Sequence, residues 1–353
     1  MPTPGAARSA LKPTMTVLVT GSAGHLGEAL VRCLRARHRP VRGVDIKASP
    51  FTDRVGSICD RDFAADVMSG IEAVLHAATL HKPHVATHEA RAFIDTNVTG
   101  TQVLLESALA AGVRAFVHTS TTGAFGLPAA PAASAPAAWV TEQLVYCVRN
   151  IYGVTKLAAE NLCELSARRQ RLPVIILRTA RFFPEEDDDA TIRGRYTIAN
   201  AQANELLFRR VDIEDAAAAH LLAIEQAAAI GFGRYVISAT TPFTREDRMM
   251  LRYDAPAVVL RQFPDCAELY AARGWTLFPT IDRVYVNELA RRALGWHPKY
   301  DFRYVLDSLR AGRDFCSSLA LTIGSKGYHA ADAADDVRCA TPASRSRCGS
   351  TTP

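Results

Sequence analysis

Thr16-Val17-Leu18-Val19-Thr20-Gly21-Ser22-Ala23-Gly24-His25-Leu26-Gly27 reads as a buried strand that runs into a glycine-rich turn and out into a helix. Gly21, Gly24 and Gly27 allow a sharp turn and a close approach to a pyrophosphate, whose charge then meets the amide groups of Ala23, His25 and Leu26 at a helix N-terminus. A glycine triplet alone is a weak signal. Here a strand precedes it and a helical pattern follows. Asp45 ends the next strand, 18 residues after Gly27. An acid there accepts from a ribose 2′-hydroxyl and repels a 2′-phosphate, so NAD is expected over NADP. Lys47, close behind, softens that exclusion.

Working outward, apolar runs at 17–19, 41–44, 73–75, 115–117 and 174–177 read as buried strands. They alternate with helical patterns, clearest over 27–37, 90–111 and 151–169. That alternation predicts an α/β fold, a doubly wound parallel sheet of Rossmann type. The expected organisation is a tail over 1–14, an NAD-binding domain over 15–180, a smaller mixed substrate-binding region over 181–329 and a tail over 330–353. Both tails lack apolar periodicity and read as disordered. The Ala- and Pro-rich stretch 126–138 and the acidic stretch 181–190 read as loops on the carboxyl side of the sheet, where ligands bind. Later helices are expected over 215–229, 286–294 and 304–313.

Composition narrows the class. A chain of 353 residues, 48% hydrophobic and 22% charged, suits one large domain or two modest ones. The net charge of +5 comes from scattered Arg rather than a basic tract, so no nucleic-acid partner is expected. No apolar run is long enough to cross a bilayer, and the first fourteen residues lack a secretory centre, so neither a membrane partner nor export is expected. Arg8 and Lys12, with no acid beside them, leave a transit-peptide reading open. Eight cysteines without Cys-x-x-Cys spacing fit reduced thiols in a cytoplasmic protein.

Tyr152-Gly153-Val154-Thr155-Lys156 carries the chemistry. Residues four apart share a helix face, so the Lys156 ammonium is expected beside the Tyr152 phenol, pulling a pKa of about 10 toward neutrality. That makes Tyr152 a candidate general base. The bland alternative is an exposed i,i+4 pair on a helix surface.

These stretches together resemble the extended short-chain dehydrogenase/reductase family, the NAD-dependent sugar epimerases and dehydratases, over roughly residues 15–307. The matching motifs are Thr20-Gly21-x-x-Gly24-x-x-Gly27; Ile58-Cys59-Asp60; Leu75-His76-Ala77-Ala78; Asn97-Val98-Thr99-Gly100-Thr101; Thr119-Ser120-Thr121; Tyr152-x-x-x-Lys156; Leu177-Arg178; Val211 to Asp215; and Leu294-Gly295-Trp296-x-Pro298. The resemblance implies that Ile58 and Asp60 lie near the adenine and that Ala77 and Ala78 line the cofactor. It implies that Asn97 supports the strand carrying Thr119, Ser120 and Thr121. Thr121 would orient the substrate hydroxyl or carbonyl, with Ser120 and Thr122 as competitors for that role. Tyr152 would be the acid/base, and Lys156 would lower its pKa and hold the nicotinamide ribose. A homodimer through the helices of 90–111 and 151–169 is also implied, the alternative being burial of their small faces inside one monomer.

Departures from the pattern bear on the reaction. Dehydratases of the family carry Asp-Glu straight after the catalytic Thr, where this chain has Thr122-Gly123, so dehydration is not expected. Arg181 stands where nucleotide-sugar enzymes often carry an Asn that contacts the diphosphate. Arg181 and Arg209 are candidates for a polar, anionic, sugar-like substrate, against the alternative that Arg181 pairs with the acids of 185–189. The His-rich stretch His76, His81, His84, His88 invites a metal, but Pro83 and the spacing fit no ligand set, so no metal is expected. His81 and Lys82 are instead placed at the cofactor or substrate. Glu142 is expected to fix its loop. The expected function is an NAD-dependent epimerase or dehydrogenase acting on a small-molecule secondary alcohol or ketone. The alternative is a non-catalytic NAD(P)-sensing or interaction protein.

Overall fold

The structure, a computed structural model, describes residues 16–327 except 130, 133 and 188. The tails expected over 1–14 and 330–353 lie outside the described residues. The chain runs β1 (Val17–Thr20), α1 (His25–Ala36), β2 (Val41–Asp45), β3 (Arg54–Val55), α2 (Arg61–Met68), β4 (Ala73–His76), α3 (Ala90–Phe93), α4 (Gly100–Ala110), β5 (Ala115–Thr121), β6 (Ala138–Val140), α5 (Ile151–Gln170) and β7 (Val174–Thr179). It continues through α6 (Ala190–Arg195), α7 (Ile198–Glu205), α8 (Ile213–Ile230), β8 (Phe232–Ile237), α9 (Arg248–Tyr253), α10 (Ala255–Gln262), α11 (Cys266–Ala271), β9 (Arg283–Tyr285), α12 (Glu288–Leu294), α13 (Phe302–Arg310) and α14 (Ser318–Ile323).

Seven strands form one parallel sheet in the order β3-β2-β1-β4-β5-β7-β8. Alternation along each strand divides the apolar side chains between two faces. Val17, Val19, Ala73, Leu75, Ile175 and Leu177 pack with α1, α8 and α12 on one side. Leu18, Val74, Phe116, Val174 and Ile176 pack with α2, α4 and α5 on the other. Burial on both faces explains why these strands read as continuous apolar runs. The strand order reverses between β1 and β4, which opens a crevice at their carboxyl ends, where ligands of such sheets bind.

A second core gathers Tyr196, Leu206, Phe208, Phe243, Leu251, Val258, Phe278, Phe302 and Val305 beneath a two-stranded parallel sheet of β6 and β9. Part of the chain beyond residue 180 also belongs to the large sheet. α8 and β8 return to the large sheet, where β8 pairs along its whole length with β7. Asp215 at the start of α8 accepts the Lys299 and Tyr300 amides, and the Trp296 indole donates to its carbonyl at 3.0 Å. Burial pushes the Asp215 carboxyl up to about 7, against those amide bonds. Glu142 accepts the Val236 amide at 2.8 Å and so ties its loop to β8. No helix among the described residues is long and apolar enough to cross a membrane.

Candidate active site

The turn after β1 is as tight as its glycines require. Gly21 has φ +73°, and a Cβ there would lie 2.7 Å from the Ala78 amide nitrogen. A Cβ on Gly27 would lie 1.9 Å from the Gly21 carbonyl oxygen. α1 therefore starts against β1 with its N-terminal end at the rim of a cavity of about 1210 Å³. Asp45, at the carboxyl end of β2, accepts the Ala23 amide (3.0 Å) and the Lys47 amide (2.9 Å). Burial raises its pKa, with those two amides opposing the rise.

The cavity gathers Gly21, Ala23, Gly24, His25, Leu26, Gly27, Asp45, Lys47, Ile58, Ala77, Ala78, His81, Lys82, Thr119, Ser120, Thr121, Thr122, Tyr152, Arg181 and Arg209. Asp60, Asn97 and Lys156 are not on its wall. The Asp60 carboxylate caps α2, accepting the Asp62 and Phe63 amides. Asn97 sits 2% exposed in a π-helical turn, Ile94–Thr99, between α3 and α4. Its carbonyl oxygen accepts from the Thr79 hydroxyl and the Leu80 amide. Its amide nitrogen donates to the Leu80 carbonyl and to the Thr155 hydroxyl. It thus fastens the loop after β4 to α5, a supporting position.

The expected Tyr152–Lys156 coupling takes a different form. The Lys156 ammonium donates to the Thr119 carbonyl at 2.6 Å, behind the cavity wall. Burial lowers its pKa to about 8, against the pull of the Cys163 thiol and the Glu160 carboxylate. The Tyr152 phenol is raised to about 12 by burial, with the Thr121 hydroxyl opposing. The Lys156 ammonium, turned to the Thr119 carbonyl, does not offset that rise here. The Thr121 hydroxyl also caps the short turn that follows, accepting the Gly123 amide at 3.0 Å.

A buried polar layer supports β5. The His220 ring nitrogen Nδ1 donates to the Ala216 carbonyl at 2.8 Å, an oxygen that can only accept. Burial depresses the ring pKa to about 4, so the imidazole is neutral and Nε2 accepts from the Thr119 hydroxyl at 2.9 Å. α8 thereby orients the residue whose carbonyl holds Lys156. Ser120 donates to Glu160 at 2.5 Å, and Glu160 is gripped by Arg178 (2.8 Å) and Arg234 (2.9 Å). The Ser120 hydroxyl serves this network although the residue lines the cavity.

On the substrate side, Arg181 donates to the Glu185 and Glu186 carbonyls and lies 3.9 Å from Asp187. Arg209 pairs with Asp187 and Glu205, both at 2.8 Å. The alternative of pairing within the acidic loop thus describes Arg181, and Arg209 is tied to the same acid. Arg149, three residues before Tyr152, is exposed at the cavity and makes no ion pair or hydrogen bond among the described residues. The His81 ring stacks on Phe183 (5.3 Å, 19°) and meets His84 edge-on at 4.5 Å. Among the described residues, no group of three or more His, Cys, Asp or Glu is placed to hold a metal.

Several wall residues escaped the sequence reading: Thr79, Phe182, Phe183, Glu185, Arg283, Tyr285 and Lys326. Phe182 and Phe183 follow β7 in a loop already assigned to the ligand side, which was signal enough to flag them. Arg283, Tyr285 and Lys326 carry no local pattern and arrive only by tertiary folding.

The family profile described as NAD dependent epimerase/dehydratase matches residues 17–238. Sterol demethylase protein B of Methylococcus capsulatus is 38% identical over 121 residues, 32% of this chain and 36% of that protein. UDP-glucose 4-epimerase of Erwinia amylovora is 30% identical over 165 residues, 42% of this chain and 47% of that protein. Each match spans less than half the length of the relative. The structure is similar to a short-chain dehydrogenase/reductase superfamily protein from Agrobacterium tumefaciens solved with bound NAD, at TM-score 0.59 and 25% identity, covering 84% of this chain and 97% of that one. The glycine turn, the seven-stranded parallel sheet and the Tyr152–Lys156 helix all lie within the matched span 17–238, and the chain belongs to the NAD dependent epimerase/dehydratase family.

Proposed function

We propose that the protein is an NAD-dependent epimerase or dehydrogenase that moves hydride at a secondary alcohol or ketone. The observation that carries this is the convergence on one cavity of the Gly21–Gly27 turn, Asp45, Thr121 and Tyr152. The residues present fit a dinucleotide: the turn leaves no room for a Cβ at Gly21 or Gly27, and a carboxylate stands at the end of β2. Gly24 to Gly27 would hold the pyrophosphate, Asp45 the adenosine ribose, and Ile58, Ala77 and Ala78 the faces of the adenine and ribose. Asp45 supports NAD over NADP. When bound, the cofactor supplies the hydride carrier and a positively charged ring in its oxidised form.

The chain's own groups handle the proton. Thr121 orients the substrate oxygen, and the Tyr152 phenol, protonated near neutrality, donates its proton to a ketone oxygen, while in the reverse direction Tyr152 must be the phenolate, favoured by added positive charge, to take the proton of a hydroxyl. Thr122-Gly123, in place of an acid pair, supports hydride transfer without elimination. Arg149, which makes no ion pair or hydrogen bond among the described residues, joins Lys82, Arg181 and Arg209 as a site for an anionic, nucleotide-sugar-like substrate. A second reading is an apolar alcohol such as a sterol. It is favoured by the pairing of Arg181 and Arg209 with acids, by the Phe182–Phe183 wall and by the similarity to sterol demethylase protein B.

Native mass spectrometry of the purified protein tests the cofactor, with a mass increment equal to NAD expected. Reduction of NAD is then followed spectroscopically across nucleotide sugars and sterols. Tyr152→Phe is expected to lower the rate by about a hundredfold or more while leaving NAD affinity nearly unchanged. Undiminished turnover in that variant overturns the acid/base assignment.

A further inference from the structure

Residues 318–327 follow α13, beyond the family-matched span, yet Lys326 among them lines the cavity. α14 rests on the core shared by α1 and α8 through Leu319, Ala320 and Ile323. The chain then passes through Gly324 (φ 62°) and Gly327 (φ 73°), both in a backbone region that suits glycine. Between these two glycines lie Ser325 and Lys326. The Ser325 hydroxyl and the Lys326 amide each donate to the same Glu185 oxygen, both at 3.0 Å. The Lys326 ammonium donates to Glu28 in the first turn of α1, whose other oxygen accepts from Arg32 at 2.7 Å. Glu185 also meets His25 of the glycine turn, Nε2 to oxygen at 3.2 Å. Burial would raise the Glu185 carboxyl, but His25 and the Lys326 amide outweigh it and hold it down to about 2, so it stays an acceptor at any physiological pH. His25, Glu185 and Lys326 all line the cavity that the glycine turn opens into.

We propose that residues 318–327 form a strap across the dinucleotide end of the cavity, with Ser325 and Lys326 as its clasp on Glu185 and Glu28 and with Gly324 and Gly327 as its swivels. The inference rests on the reading of this cavity as a dinucleotide site, and it adds a retention element to it. Three separate parts of the chain meet in the clasp: the first turn of α1, the loop after β7 and the segment after α14. A dinucleotide seated on the glycine turn leaves only after the Lys326 bonds to Glu28 and Glu185 open. Slow exchange is what a reaction needs if hydride is to return to the same substrate, so the strap favours the epimerase branch of the proposed function.

The test is release of NAD from the full-length protein, loaded with radiolabelled NAD and chased with excess unlabelled NAD. Lys326→Met is expected to speed release about five- to tenfold, because a charge-assisted bond that must break during opening is gone and affinity changes of this kind appear in the off-rate. Lys326→Arg is expected to restore release to within about twofold of the wild type. Should Lys326→Met fail to fold, Glu28→Gln serves, since it removes the charge that holds the ammonium, and the same acceleration is expected. An unchanged release rate in a folded variant overturns the strap. A wild-type protein that takes up no labelled NAD overturns the dinucleotide reading instead.

Discussion

Tyr152 and Lys156 show what a sequence spacing does and does not fix. The spacing of four places both on α5, and the helix is capped by Asn150, whose side chain accepts the Gly153 amide at 3.0 Å. Spacing says nothing about what each charge meets. The Lys156 ammonium meets the Thr119 carbonyl, and burial takes its pKa down from 10.5 to about 8. The sign follows directly: a depressed lysine loses its proton as pH rises through about 8, so a property that needs the ammonium declines there rather than above 10. If Lys156 supports the cofactor ribose, NAD affinity measured calorimetrically is expected to fall between about pH 7 and about pH 9. Lys156→Arg, which stays charged, is expected to bind NAD with no such decline. Affinity that stays flat through this range in the wild type removes Lys156 from the cofactor site.

At the scale of the element, the stretch 90–111 reads as one helix in sequence and folds as α3, a π-helical turn and α4. Apolar periodicity cannot show the insertion, because one widened turn leaves the pattern on either side intact. Its consequence is Asn97, all four of whose side-chain hydrogen bonds cross to the loop after β4 or to α5. Asn97→Ala leaves the Leu80 amide and the Thr79 and Thr155 hydroxyls short of a partner. It is expected to cost about 2–3 kcal/mol in urea unfolding. A loss below about 0.5 kcal/mol would remove this clamp from the account of the fold. β8 was missed for a different reason. Gly231, Gly233 and Arg234 interrupt its apolar run, and only pairing with β7 makes Phe232–Ile237 a strand.

For the whole molecule, the proposed homodimer depends on surfaces that the monomer leaves open. Of the small residues on the stretches 90–111 and 151–169, Ala108 and Ala159 are buried inside the monomer, whereas Ala110 and Ala111 are exposed. Ile94, Val154 and Leu165, on the same stretches of chain, are 43%, 46% and 54% exposed. Light scattering at micromolar concentration is expected to give twice the monomer mass, and Leu165→Glu is expected to shift the population toward monomer by desolvating a charge at the contact. A wild-type monomer under those conditions overturns the proposal.

Strand-turn-helix order, the Gly21–Gly27 turn and the Asp45 position were determined by sequence alone, because burial on both sheet faces and a turn without room for a Cβ each leave a local pattern. Tertiary structure alone decided which partner each charge meets: the Thr119 carbonyl for Lys156, the Asp187 carboxylate for Arg209 and the Glu28 carboxylate for Lys326. Those partners lie 37, 22 and 298 residues apart. A charge carries no mark in the sequence of the partner that folding brings to it, and in a cavity of this kind the partner decides whether the charge is free to bind a ligand.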